Sequence, residues 1–295
     1  MPRKVIIDTD IGFDLDDTWA ILFAIKCKEF DVKLISISDG DLEYKTKLTA
    51  KLLQLCNRVD IPIAIGKSLY DTVCPQKDYV EGFDLNKYPG KIYQNYRDAY
   101  QEVLEKDNCD IVELSPMSSI QDVSDIIEKY HCKIYAMMGS INYGHRGQKG
   151  TIPEYNVEAC INGAQKIFKN SNEFTMLPLD ACGTFIMNKD IYNELMRKNT
   201  PVVNAIKVNY ELWLNNFPHA KEEFSIDNTS SILFDLSTFA YMLYPDCFKA
   251  EEMNITIDDK GYTKVDDVSG KRINVVTETI KLDEIMNKVA KVLSS

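Results

Sequence analysis

Five carboxylates fall within ten residues, Asp8-Thr9-Asp10-Ile11-Gly12-Phe13-Asp14-Leu15-Asp16-Asp17. They lie where a short apolar run, Lys4 to Asp8, gives way to helical spacing from Asp17 to Glu29. Like charges about 4 Å apart repel by about 1 kcal/mol in water, and by more in a partly buried cleft. The N-terminal dipole of the following helix relieves part of that cost but is too small to hold all of them. A bound divalent cation resolves the repulsion directly. An all-oxygen, carboxylate-rich donor set suits Ca²⁺ or Mg²⁺ rather than zinc. The plainer alternative is a helix cap flanked by solvated loop acids, a description that fits Asp14 best.

The elements that must position these groups alternate between two periods. Strand-like runs cover Lys4 to Asp8, Lys33 to Ser38, Ile61 to Gly66, Asp110 to Ser115, Lys133 to Gly139 and Phe174 to Asp180. Helical patterns cover Asp17 to Glu29, Glu43 to Cys56, Ile92 to Lys106, Ser118 to Tyr130 and Asn162 to Asn170. Such alternation predicts an α/β fold with a mostly parallel central sheet flanked by helices. In open sheets of this kind ligands bind at the carboxyl ends of the strands. Residues 188–250 read as mostly helical. Met253 to Ile280 reads as a hairpin turning at Asp258-Asp259-Lys260-Gly261 plus a further strand, and Leu282 to Leu293 as a closing amphipathic helix. With no linker, repeat or low-complexity tract, one domain over 1–295 is the simplest count.

Composition narrows the function classes. Acids number 45 against 34 bases, a formal charge of −11. That balance argues against nucleic acid as a partner and against an anionic membrane surface. No apolar run approaches the length of a membrane helix, and the N-terminus lacks a signal-peptide core. The 8 cysteines form no CxxC pair, which points to buried thiols in a reducing, cytoplasmic setting. The 3 histidines, His131, His145 and His219, limit any mechanism that uses imidazole.

Asp8-Thr9-Asp10-x-Gly12-x-Asp14-x-Asp16-Asp17 resembles the N-terminal fingerprint of the inosine–uridine-preferring nucleoside hydrolases, in a form with two extra residues before the Asp-Asp pair. The likeness continues in order along the chain. Residues Ala50 to Gly66 resemble the family's second helix and third strand. Leu114-Ser115-Pro116-Met117-Ser118-Ser119 stands where the family has a Gly-Pro-Leu-Thr-Asn turn. Met137-Met138-Gly139-Ser140, Glu154-Tyr155-Asn156 and Phe234-Asp235 resemble three later family motifs.

The resemblance implies an open, Rossmann-like sheet and Ca²⁺-dependent cleavage of the N-glycosidic bond of ribonucleosides. It implies a small-molecule nucleoside as partner, and assembly as a homodimer or homotetramer. By similarity, Asp10, Asp17 and Asp235 supply side-chain ligands and Leu114 a backbone carbonyl. Asp10 is also the general base. Asp16 accepts a ribose hydroxyl, Glu154 and Asn156 hold the sugar, Met138 packs under the ring, and Asp39 is a sugar-contacting or supporting residue. Asp235 can also be read as a helix cap, Asn156 as a turn residue, Met138 as core and Asp8 as a loop anchor.

One departure matters for chemistry. Where the family's inosine–uridine branch has the His that protonates the leaving base, this chain has Phe234. A purine-preferring branch lacks that His and stacks the base between aromatic rings. Phe234, Trp213, Tyr210 and Phe217 are candidates for such a role. His145 and His219 are alternative acids, though each reads more readily as a surface residue. Two other readings stay open. One is a haloacid-dehalogenase-like phosphatase using Asp8 and Asp10, against which Gly12 and the Asp16-Asp17 pair speak. The other is a Ca²⁺-dependent ribosyl-binding protein with little turnover.

Overall fold

In the computed structural model, which describes residues 1–217 and 220–295, a ten-stranded sheet runs through the whole molecule. His219 lies outside the described residues. The strands are β1 (Arg3–Thr9), β2 (Phe30–Ile37), β3 (Ile63–Ile65), β4 (Ile92–Tyr93), β5 (Asp110–Glu113), β6 (Lys133–Met137), β7 (Glu173–Leu177), β8 (Phe248–Ile257), β9 (Thr263–Val265) and β10 (Lys271–Thr279). Their spatial order is β4-β3-β2-β1-β5-β6-β7-β10-β8-β9. Pairing is parallel from β4 through β10, and the β10–β8 and β8–β9 pairs are antiparallel.

Side-chain alternation explains why both faces are covered. Val5 and Ile7 of β1 point into one apolar layer, and Ile6 points into the other. The first layer is closed by helices that include Asp16–Lys26, Leu42–Leu55, Pro201–Asn216 and Leu236–Leu243. The second is closed by helices that include Tyr96–Lys106 and Ile161–Asn170. Among the described residues no helix is long and apolar enough to cross a membrane.

Bounds shift at several expected elements, and at two of them the local cause is plain. The helix expected from Ile92 is preceded by β4, because Asn95 accepts from the Arg97 N–H and so starts the helix at Tyr96. The pattern from Ser118 to Tyr130 splits into a 3₁₀ turn, Ile120–Val123, and a helix, Ser124–Lys129. The strand expected to reach Asp180 ends at Leu177, since Pro178 has no N–H to continue the ladder and instead precedes the short helix Leu179–Cys182.

The C-terminal hairpin turns where expected. Asp258 accepts from the N–H groups of Lys260 and Tyr262, and Gly261 has φ +81°. The hairpin also braces the site end of β6. Thr263 Oγ1 accepts from Ser140 N (2.9 Å) and lies 2.8 Å from Ser140 O. Gly139, at φ +83°, is required there, because an added Cβ would lie 2.9 Å from the Thr263 side chain.

Candidate active site

The chain leaves β1 toward β2 on one side, and later enters β5 on the other side of β1. The carboxyl ends of β1 and β5 therefore flank the point where strand order reverses, the place open α/β sheets leave for a ligand. The acidic run follows directly on β1, and Leu114 directly on β5. A cavity of about 240 Å³ opens at this point.

Its floor is acidic. Carboxylate oxygens of Asp16, Asp17 and Asp235 lie within 4.8 Å of one another, and all three residues are buried. Asp16 and Asp17 begin the helix Asp16–Lys26, and Asp235 precedes the helix Leu236–Leu243. Asp235 N–H donates to Asp16 Oδ2 (3.2 Å), and Thr9 Oγ1 donates to Asp17. Burial first, and repulsion from a neighbouring carboxylate second (Asp14 for Asp16, Asp10 for Asp17, Asp16 for Asp235), hold all three well above the usual carboxylate range. Asp235 makes no side-chain cap to its helix. A buried group of hard oxygen donors with this excess of negative charge fits a divalent cation.

Asp10 lines the same cavity, 5 % exposed, outside that closest trio. Burial raises its pKa to about 6, with Lys45 acting in the opposite direction. Lys45, the one buried lysine or arginine among the described residues, donates to the backbone carbonyls of Asp10 (2.6 Å) and Ser38 (3.3 Å). Its ammonium is 4.0 Å from the Asp10 carboxylate. Asp14 also lines the cavity and accepts from Leu15 N–H.

The upper wall carries Glu154 and Asn156. Glu154 accepts from Gly139 N–H and Asn156 N–H, both at 2.9 Å, and so caps the short helix Tyr155–Glu158. Burial raises its pKa to about 7. Asn156 Nδ2 donates to Met137 O (3.0 Å) and Leu114 O (3.4 Å), joining the ends of β6 and β5. Phe234 lines the wall beside Asp235, with the His145 ring edge-on at 5.7 Å. His145 is exposed at the rim, and partial shielding of its ring from solvent holds it below the ordinary imidazole value.

The model of the family described as Inosine-uridine preferring nucleoside hydrolase matches residues 5–287. The chain belongs to that family. It is an enzyme of the nucleoside hydrolase class. The chain is 24 % identical over 279 residues to the pyrimidine-specific ribonucleoside hydrolase RihA of Escherichia coli strain SMS-3-5, covering 90 % of this chain and 87 % of the relative. It is 24 % identical over 292 residues to the non-specific ribonucleoside hydrolase RihC of Escherichia coli O1:K1, covering 92 % and 90 %. Its fold matches that of the plant nucleoside hydrolase PpNRh1 with TM-score 0.81, 18 % identity and full coverage of both chains.

This nucleoside hydrolase brings together Asp10, Asp16, Asp17, Leu114, Glu154, Asn156, Phe234 and Asp235 around the cavity. Two expected site residues stand apart. Met138 is buried in the opposite apolar layer, and its neighbour Met137 lines the cavity, because successive residues at a strand end face opposite ways. Asp39, fully buried at φ +53°, accepts from Leu69 N–H (2.9 Å) and Ser118 Oγ (2.8 Å), tying loops together behind the cavity. Asp8 also sits behind, accepting from Ser38, Ser115 and Tyr100 hydroxyls. Trp213 and Tyr210 belong to the core.

Phe13, Tyr155 and Lys45 escaped the sequence reading. Phe13 belongs to the lengthened loop and stacks on Tyr155, with ring centroids 5.4 Å apart and 21° between planes. Phe217 closes edge-on against Phe13 at 5.7 Å. The signal for Lys45 was its phase: it stands on the stripe of Leu48 and Leu52, where a lysine must find buried partners. Lys45→Met strands two carbonyls and a carboxylate. It is expected to cost about 3 kcal/mol, the scale for breaking a buried pair. An unchanged urea midpoint would remove this structural role.

Proposed function

We propose that this enzyme hydrolyses the N-glycosidic bond of ribonucleosides to ribose and free base, with Ca²⁺ as cofactor and a preference for purines. The observation that carries the reading is the meeting of an acidic floor, a polar wall of Glu154 and Asn156 and an aromatic side in one cavity at the sheet's switch point. The ligands proposed for Ca²⁺ are Asp10, Asp17, Asp235 and the Leu114 carbonyl. The bound cation supplies charge neutralisation and Lewis-acid polarisation.

The chain's own groups do the remaining work. Asp10 takes a proton from the attacking water, a task suited to a carboxylate that lines the cavity beside the proposed cation site. Asp16, with one oxygen engaged by Asp235 N–H, offers the other to a ribose hydroxyl. Glu154 and Asn156, locked by backbone partners, hold the sugar without reorganising. The developing positive charge on the ribosyl group lies over the carboxylates, as an oxocarbenium-like transition state requires. Phe234, Phe13 and Tyr155 offer flat apolar area to the base, and a larger base gains more from it. The eight free thiols support a reducing compartment.

The test is release of free base from inosine, adenosine, guanosine, uridine and cytidine, with calcium assayed in the same sample. Turnover with bound calcium and faster purine release is expected. Equal or faster pyrimidine release would remove the base preference. Bound calcium without turnover would favour a ribosyl-binding protein.

A further inference from the structure

Breaking the C1′–N bond sends its electron pair to the base nitrogen, and a base anion is a poor leaving group unless a proton reaches it. The carboxylates on the cavity floor are placed to oppose positive charge on the sugar. The proton donor must come from the other side. Among the described residues, His145 is the one histidine that lines the cavity. His131 lies two residues before β6, where it meets Asn172.

The surroundings of His145 hold its backbone in one place and leave its ring nitrogens available. Arg146 N–H donates to Gly183 O (2.9 Å). The Arg146 guanidinium pairs with Glu223 at 2.5 Å and lies over the Phe224 ring. Arg146 adopts φ +59°, a strained choice for an arginine that these contacts enforce. The His145 ring packs edge-on against Phe234, adjacent in sequence to Asp235 on the acidic floor. Neither ring nitrogen has a hydrogen-bond partner among the described residues.

We infer that His145 is the general acid for the departing base, and that the Arg146–Glu223 pair is its positioning device. The inference rests on the nucleoside hydrolase reading of the site. As the C1′–N bond breaks, the imidazolium gives its proton to the base. The water oxygen bonds to C1′ and the water proton passes to Asp10. Ribose and neutral base leave, and proton transfer through solvent from Asp10 to His145 restores both groups.

The test compares His145→Gln with wild type on inosine and on p-nitrophenyl β-D-ribofuranoside, whose nitrophenolate departs without a proton. A loss of about a hundredfold or more in kcat on inosine is expected, the scale of general acid catalysis. On the nitrophenyl riboside the loss is expected to stay below about threefold. The exposed position of His145 leaves the unfolding midpoint unchanged. Wild-type rates on inosine, or equal losses on both substrates, overturn the assignment of His145 alone. A wild-type enzyme that cleaves neither substrate overturns the nucleoside reading, and this inference with it.

Discussion

Asp10→Ala is expected to lower kcat on ribonucleosides by about a thousandfold or more, within the 10²–10⁴ range that a positioned general base supplies. The same change withdraws a donor from the proposed calcium site, so the loss sits toward the upper end. The fold is expected to survive, and the reason is specific. Lys45 holds this loop through the backbone carbonyl of Asp10, at 2.6 Å, which alanine retains. The side chain lost is one that burial already disfavours in its charged form. Two measurements decide: kcat on inosine and the urea midpoint. Turnover near wild type would remove Asp10 from both roles. Loss of cooperative unfolding would show that the carboxylate is structural.

Asp17→Asn is expected to move cation response and metal-free stability in opposite directions. Without calcium, Asp16, Asp17 and Asp235 repel one another in a buried setting, so neutralising one relieves the folded state. Asparagine keeps an oxygen to accept from Thr9. The chelator-treated variant is therefore expected to melt above chelator-treated wild type. With calcium at a hundred times its dissociation constant, wild type gains about 2.7 kcal/mol, and the variant gains little. In a chain of this size that gain is a rise in Tm of roughly 5 °C. Thermal melts of both proteins, with calcium and with EDTA, test the pair of signs. A wild-type Tm indifferent to calcium would sink the cation assignment.

What could be read from the chain depended on how local each feature is. The acidic run is contiguous, and its cost is visible without any fold. The strands alternate apolar faces, so the sheet was legible, whereas its antiparallel extension rested on one turn signal at Asp258–Gly261. Asp235 stands 219 residues from Asp16, and only the ordered motifs linked them. Met138 shows the limit of motif reasoning, whereas Asp39 stands in the supporting role that the resemblance also allowed. A shift of one residue at a strand end exchanges cavity for core, and a left-handed backbone at Asp39 turns its carboxylate toward neighbouring loops. The aromatic contact between Phe13 and Tyr155 joins a loop to a distant short helix, and no periodicity announces it.

The last strand in the sequence, β10, is inserted between β7 and β8, and Asp235 completes the carboxylate floor. During synthesis the nascent chain cannot gather this site until its final third has left the ribosome. Before then the acids after β1 are a solvated, flexible run with weak hold on any cation, and the β7 edge stands open. Parallel pairings over such separations form slowly, and an uncovered edge invites wrong partners. The proposed cation would therefore seal a finished sheet and give no help in starting it. A ribosome stalled before residue 235 would carry a chain that is blind to the ion.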